Sequence, residues 1–134
     1  MSKLRVTFLA FVLFATIPAF AQEYPTRPVT MVIPFAAGGP TDVVARILAQ
    51  TMSKSLKQQV IVENALGAGG TIAAARVARS QPDGYTLFLH HNGMATAPAL
   101  YRKLPYNPIT DFEPIGLVAD VPMTLVAKKT LPPN

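Results

Sequence analysis

The sequence lacks the residue patterns that most directly assign a function. Its 134 residues include no cysteine, so the chain forms no disulfide and its fold depends on the hydrophobic core alone. Only 14% of the residues are charged, and the formal net charge of +5 is scattered along the chain. Because there is no basic stripe with interleaved aromatic residues, the sequence argues against nucleic acid as a partner.

Groups that carry common catalytic chemistry are also missing. There is no Ser-His-Asp arrangement and no Gly-x-Ser-x-Gly motif, and Glu63 and Asp83 do not have the spacing of a paired-carboxylate site. His90 and His91 are neighbours on a predicted strand, where adjacent side chains point to opposite faces and do not readily share a metal ion. We therefore predict a protein that is not an enzyme and that has no metal and no cofactor.

Residues 1–21 have the pattern of a secretory signal peptide. Lys3 and Arg5 precede the apolar residues 6–17, and Ala-Phe-Ala at 19–21 forms a cleavage site before Gln22. The apolar stretch is shorter than the roughly 20 residues that a membrane span needs. We therefore expect a periplasmic mature chain, residues 22–134, with no stable membrane insertion after cleavage.

Turn residues and apolar periodicity predict alternating strands and helices after the signal segment. The predicted strands are residues 29–33, 60–63 and 85–90, with further strands at 112–118 and 123–127, and the predicted helices are 40–56, 71–79 and 95–101. The β-α-β-α-β order is typical of a right-handed α/β unit with a parallel sheet.

The turn at residues 34–42 organises the sequence, since a nearly all-apolar strand enters it and an amphipathic helix leaves it. Gly38 and Gly39 allow positive φ and a close approach of a ligand to the backbone. Pro40 suits the first position of the helix, where its missing N–H has no intrahelical partner, so that Gly39 is the predicted N-cap.

Anion binding is predicted at the start of this helix. The amides of Thr41 and Asp42 would point out of the helix end without partners, and this end of the helix carries partial positive charge. The Asp42 carboxylate is interpreted first as a helix-end group that pairs with free amides. Further glycine turns at residues 64–70 and 91–94 follow the next two strands. Open α/β sheets bind ligands at the edge where such turns meet.

Ordered motifs along the chain resemble those of the periplasmic solute-binding receptors of tripartite tricarboxylate transporters, the Bug family. The matching residues are Tyr24-Pro25, Pro28, Pro34-Phe35, Gly38-Gly39, Thr41-Asp42, Ala45-Arg46, Val62-Glu63-Asn64, Gly67 to Gly70, Pro82 to Leu87, Leu100-Tyr101, Leu104-Pro105-Tyr106, Pro108 and Asp111 to Ile115. Each motif is weak by itself, but the ordered set covers nearly the whole mature chain.

The resemblance implies a fold and a function. The expected fold is α/β, a periplasmic binding protein-like (type II) lobe with a mainly parallel sheet and flanking helices. The expected function is capture of a small carboxylate for membrane permease subunits of the transporter. Because family members have two lobes, residues 22–134 are expected to be an incomplete N-terminal lobe that ends before the second one.

The resemblance also assigns the binding site, because the family's glycine turns offer backbone donors to the ligand carboxylate. By position, the predicted ligand-binding residues are Gly38, Gly39, Thr41, Asp42, Gly69, Gly70, Thr71 and, more loosely, Asn92 and Gly93. The chain departs from the family pattern at Ala36-Ala37, Pro40 and Ala65-Leu66. These departures leave the ligand preference open.

Two alternative functions remain open from the sequence. One is an exported truncated product without binding function. The other is an enzyme domain that holds phosphate or a nucleotide on the same turns. A dinucleotide fingerprint that begins at Gly67 requires glycine or alanine at the position of Ile72, and Leu87 stands where the acidic ribose partner is expected.

Overall fold

Three parallel strands form the centre of the computed structural model, which describes residues 23–120, 122, 124 and 126–130. The strands are β1 (Val29–Ile33), β2 (Val60–Asn64) and β3 (Thr86–Phe88), in the order β2-β1-β3. Val29 pairs with Val60, and Met31 pairs with both Val62 and Leu87. The predicted parallel sheet is therefore confirmed, with the first strand in its centre.

Three helices connect and follow the strands. They are α1 (Pro40–Leu56), α2 (Thr71–Ala78) and α3 (Gly93–Leu100), and a 3₁₀ turn (Ala68–Gly70) leads into α2. The predicted bounds of α1 are confirmed, and α2 ends one residue earlier than predicted. The helix predicted at 95–101 begins instead at Gly93, because the amides of Ala95 and Thr96 already donate to the Asn92 carbonyl.

The two faces of the sheet are covered by different helices. On one face, α1 packs against the cluster of Val29, Met31 and Ile33. On the other face, Val32 packs with Ala73 and Val77 of α2. Burial of β1 on both sides explains why its sequence is almost entirely apolar, as is typical of strands in parallel sheets.

The buried stripe of α1 differs from the predicted one. Helical spacing of the apolar residues Val44, Ile47, Leu48, Met52 and Leu56 predicts that they form one face of α1, opposite Arg46 and Gln50. In the structure, however, Ile47 is 62% exposed and Val44 is exposed as well. Ala45 and Ala49 are buried instead, while the other three are partly buried against the same cluster. Small alanine side chains allow the helix axis to lie close to the sheet, and this turns the bulkier neighbours outward.

Two predictions about strands need correction. β3 is assigned over only three residues rather than 85–90, although hydrogen bonds from Thr30 to Tyr85 and from Leu89 to Val32 continue the ladder at both ends. Residues 112–118 form no strand. Ile115 and Leu117 are highly exposed there, and without a neighbouring strand an apolar segment has no ladder to join.

Several predictions concern residues that the structure does not describe. The signal peptide lies outside the described residues, as do positions 123 and 125 of the strand predicted at 123–127. Within the described part of the chain, no helix is long and apolar enough to cross a membrane.

The segment before β1 is fastened to the turn before β3 at the amino-terminal edge of the sheet. The Tyr24 hydroxyl donates to the Gly84 carbonyl at 2.6 Å. Arg27 pairs with Asp83 at 2.8 Å, and its guanidinium lies 3.9 Å from the centroid of the Tyr85 ring. These contacts hold β1 and β3 together at the edge opposite the three glycine turns.

Candidate ligand-binding site

The three turns that follow the strands meet at the carboxyl-terminal edge of the sheet. A Cβ atom on Gly70, in the second turn, would lie 2.6 Å from Nε2 of His90 and 3.1 Å from Cβ of Pro34. His90 follows β3 and Pro34 follows β1, so the second turn, at Gly70, lies directly against the other two turns. Strand order β2-β1-β3 explains this meeting, because the first turn lies between the other two.

The first turn has the predicted geometry at the start of α1, with one exception. Gly39 is the N-cap and Pro40 the first helical residue, as predicted. Gly38 has φ +81°, in the region that favours glycine. Gly39 has φ −74°, which any residue adopts, so a positive φ is required at only one of the two glycines.

Asp42, in the first turn of α1, is the most connected polar group of the edge. Its side chain is only 3% exposed. Oδ2 accepts hydrogen bonds from the Gly38 amide at 2.9 Å and from Nε of Arg46 at 2.8 Å. Oδ1 accepts from Nη2 of Arg46 at 3.0 Å and from Nδ2 of Asn64 at 2.9 Å. The carboxylate is thus surrounded by donors from the first turn, from α1 and from the end of β2.

These donors determine the charge state of Asp42. The hydrogen bonds from Arg46, then from the Gly38 amide and from Asn64, hold the pKa of the Asp42 carboxyl far below its usual range. Ion pairing with Asp42 raises the pKa of Arg46 in return. The pair therefore remains ionised at physiological pH, and its two charges neutralise each other. The helix-end interpretation of Asp42 fits this geometry, and its predicted ligand contact stays a prediction.

Two amides at the start of α1 have no hydrogen-bond partner in the part of the chain that the structure describes. Within the described residues, neither the Thr41 amide nor the Asp42 amide donates to a carbonyl or side-chain acceptor, whereas the Val43 amide donates to the Gly39 carbonyl. The amides of Gly38 and Gly39 are used internally, by Asp42 and by the Ala36 carbonyl. At the helix start, the amides of Thr41 and Asp42 are therefore available as donors to a ligand.

In the second turn, the predicted donors already have internal partners. The Gly70 amide donates to the Gly67 carbonyl at 2.9 Å. Both the amide and the hydroxyl of Thr71 donate to the Ala68 carbonyl. A ligand at this turn would not meet free amides at Gly70 or Thr71. Their ligand contact, like that of Gly69, remains a prediction from family resemblance.

Tyr101, at the end of α3, closes one side of the second turn. Its hydroxyl donates to the Ala68 carbonyl at 3.0 Å. A Cβ on Gly69 would lie 2.7 Å from the same hydroxyl. Gly69 has φ +61° and Gly70 φ +94°, so both glycines are needed for backbone conformation and for the close approach of a side chain.

The third turn brings two imidazole rings into the site. His90 lies edge-on to Phe35 and Phe88, with ring centroids at 5.7 and 5.2 Å. His91 stacks on Phe35 with centroids 4.4 Å apart. Gly93 accommodates both rings, since a Cβ there would lie 2.9 Å from Cε1 of each histidine.

His90 is uncharged at neutral pH. Partial burial, followed by the proximity of His91, lowers its pKa from 6.5 to about 4. The sequence pattern suggested only one role for the two histidines, that of metal ligands. Their packing between the glycine turns was missed, although the position directly after a predicted strand at the ligand edge could have suggested it. In the part of the chain that the structure describes, no cluster of three or more metal-ligating side chains occurs.

Comparison with known proteins places the chain in a family. The family model described as the tripartite tricarboxylate transporter family receptor, TctC, matches residues 44–134. The chain belongs to this family. The matched residues include the second and third turns of the site and begin just after the first.

Curated relatives of this receptor family match nearly the whole chain. A protein from the TAR-I ttuE-ttuC' intergenic region of Agrobacterium vitis is 54% identical over 99% of this chain and 40% of its own length. Protein BugT of Bordetella pertussis is 42% identical over 98% of this chain and 41% of its own length. The chain therefore spans about two fifths of the length of these curated relatives.

Solved receptor structures share the fold of the described residues. The periplasmic binding protein BugD is 61% identical, with a TM-score of 0.67 over 69% of this chain and 31% of its own. MatC from Rhodopseudomonas palustris, with bound malate, is 52% identical, with a TM-score of 0.68 over 71% of this chain and 33% of its own. A second protein from that organism, solved with adipate, is 41% identical, with a TM-score of 0.62 over 65% and 29%.

Proposed function

We propose that this chain is part of a periplasmic solute-binding receptor that captures a small carboxylate for a tripartite transporter. The observation that carries the proposal is the pair of unpaired amides, Thr41 and Asp42, at the start of the 17-residue helix α1. They lie at the edge where all three turns meet. Solved relatives with bound malate and adipate support a carboxylate as the ligand class. The membrane permease subunits of the transporter are the proposed partners.

Charge balance favours binding through hydrogen bonds rather than through a free cation. Arg46 is the cation of the first turn, and Asp42 neutralises it. A carboxylate at the helix end would therefore be held by amide donors and by the partial positive charge of the helix. No chemical step is required of these residues, which agrees with a receptor rather than an enzyme.

Affinity of these residues alone is expected to be weak. A hydrogen bond that competes with water contributes only about 1 kcal/mol, whereas immobilising a ligand costs several kcal/mol. The expected dissociation constant is therefore millimolar or weaker, which corresponds to a binding free energy no more favourable than about −4 kcal/mol.

A nuclear magnetic resonance titration of the ¹⁵N-labelled mature chain tests the proposal. Malate and adipate should shift the backbone amide signals of Thr41 and Asp42 in a saturable way. The diamide of malate, which has the same size but no carboxylate, is the matched control and should shift neither signal. Inorganic phosphate tests the enzyme alternative. Equal shifts with the diamide, or shifts with phosphate alone, would contradict carboxylate capture.

A further inference from the structure

In both histidines after β3, the ring nitrogen Nδ1 accepts a hydrogen bond from a backbone amide. Nδ1 of His90 accepts a hydrogen bond from the His91 amide at 2.8 Å. Nδ1 of His91 accepts one from the Gly93 amide, also at 2.8 Å. In a neutral imidazole one nitrogen accepts and the other donates. The backbone therefore fixes both rings in the form that carries the proton on Nε2.

Both Nε2–H groups are available to a ligand. Neither donates to an acceptor within the described residues. Described residues also contain no fully buried side-chain nitrogen or oxygen without a partner, so Nε2 of the half-buried His90 reaches solvent. His91 is exposed. Two N–H donors thus lie at the edge where the three turns meet.

Aromatic packing holds the two rings in place. Phe35, in the first turn, contacts the edge of His90 and stacks on His91. Gly70 and Gly93 allow the His90 ring to lie directly against the second and third turns. Preorganised donors lose little conformational entropy when a ligand binds. The packing therefore suits a recognition element better than a freely rotating surface side chain would.

The electrostatic surroundings favour neutral donors. The His90 ring contacts the rings of Phe35, Phe88 and His91 and lies against Gly70 and Gly93. Among them, His91 is the one titratable group, and none carries a permanent charge. A carboxylate offers only acceptors, so it complements two N–H donors in a site without a free cation.

We propose that His90 and His91 are ligand-contacting residues, which donate through Nε2–H to the bound carboxylate and set specificity for it. This inference rests on the proposed function, since it adds side-chain donors to the amides of Thr41 and Asp42. A merely structural role for the rings would require their shape and stacking but not the proton on Nε2.

Two variants of His91 separate these roles. His91→Phe keeps a planar ring on Phe35 and removes the donor. His91→Gln removes the stacked ring and keeps an N–H donor at about the position of Nε2. We expect malate affinity to fall at least about fivefold in His91→Phe, as for loss of a hydrogen bond to a charged group, and less in His91→Gln. Equal affinity of His91→Phe and the wild-type chain would overturn the proposal.

Imidazole ¹⁵N spectra of the mature wild-type chain provide a second test that needs no variant. Without ligand, both rings should show the Nε2–H form, and malate should shift the Nε2 signals together with the amides of Thr41 and Asp42. Amide shifts without imidazole shifts would overturn this inference and leave the proposed function intact. The absence of any shift would overturn both.

Discussion

Asn64 joins Asp42 to the backbone of the first turn. Its side-chain nitrogen donates to Oδ1 of Asp42 at 2.9 Å and to the Phe35 carbonyl at 2.8 Å. Asn64 is the last residue of β2 and Asp42 lies in the first turn of α1. This relationship fixes the start of α1, whose free amides are the proposed donors, against the carboxyl-terminal edge of the sheet.

Removal of the Asp42 charge should destabilise the chain. In Asp42→Asn, the buried side chain keeps one oxygen and gains an amide nitrogen, which cannot accept the hydrogen bonds from Gly38 and Arg46. Loss of charge-assisted hydrogen bonds to a buried group is costly. We expect the melting temperature to fall by roughly 5–10 °C. Glu63→Gln is the matched control, since it breaks the exposed pair with Arg76. Surface pairs contribute little, so equal losses in the two variants would contradict the role given to Asp42.

Alanine substitution should distinguish the two roles of glycine at the edge. Gly38 has φ +81° and open space at its Cβ position, whereas Gly70 has φ +94° and would place Cβ against His90. Gly38→Ala should cost about 1–2 kcal/mol from the backbone conformation alone. Gly70→Ala should cost more by calorimetry.

A double-mutant cycle identifies the cause of that difference. In a His90→Ala background, the cost of Gly70→Ala should fall towards that of Gly38→Ala, because only the Pro34 contact remains. An unchanged cost would show that the His90 ring is not what requires glycine at position 70.

The low pKa of His90 predicts that stability depends on pH. Its pKa is about 4 in the folded chain and 6.5 ordinarily, so the unfolded chain takes up the proton first as pH falls. The contribution of His90 to the free energy of unfolding should be complete above pH 6.5 and should decrease as the pH falls towards 4. The pKa values of Asp42 and Glu63 are lowered, and their contributions are lost only below their ordinary values of 3.8 and 4.5.

Thermal melts between pH 7 and pH 5 measure the contribution of His90. The wild-type melting temperature should fall by a few degrees, and His90→Phe, which cannot bind a proton, should show a flatter profile. Parallel profiles of the wild-type chain and His90→Phe would rule out His90 as the source of the dependence.

Substitutions on α1 should follow the observed buried stripe. Ala49 is buried and Ile47 is 62% exposed. Ala49→Leu forces extra atoms into the contact with the sheet and should cost about 1–3 kcal/mol in chemical denaturation. Ile47→Ala should change the stability by about 0.5 kcal/mol or less. A larger loss of stability in Ile47→Ala than in Ala49→Leu would instead support the buried stripe that the sequence pattern predicts.

Cleavage of the signal peptide during export should remove residues 1–21. Expressed with a carboxyl-terminal tag in a bacterial host, the chain should be recovered from the periplasm with Gln22 at its amino terminus, because Ala-Phe-Ala at 19–21 forms the predicted cleavage site. Periplasmic material that still begins at Met1 in amino-terminal sequencing would contradict the prediction.

Local pattern was sufficient for the elements around the first turn. The bounds of β1 and α1, the N-cap at Gly39 and the proline at the first helical position follow from apolar runs, glycine and proline. Each of these preferences acts within a few residues of the chain. The family resemblance rested on ordered motifs along nearly the whole mature chain and was confirmed by the family model and by the curated relatives.

The sequence by itself therefore determined the alternation of elements, the edge at which their turns lie and the family. Only the tertiary structure decided which groups at that edge are free. Tertiary packing brought Asn64 to the Asp42–Arg46 pair and placed His90 against Gly70. Asp42 and Asn64 are 22 residues apart, Gly70 and His90 are similarly distant in the sequence, and each pair joins different turns. Strand order and close packing bring them together, and a local pattern encodes neither.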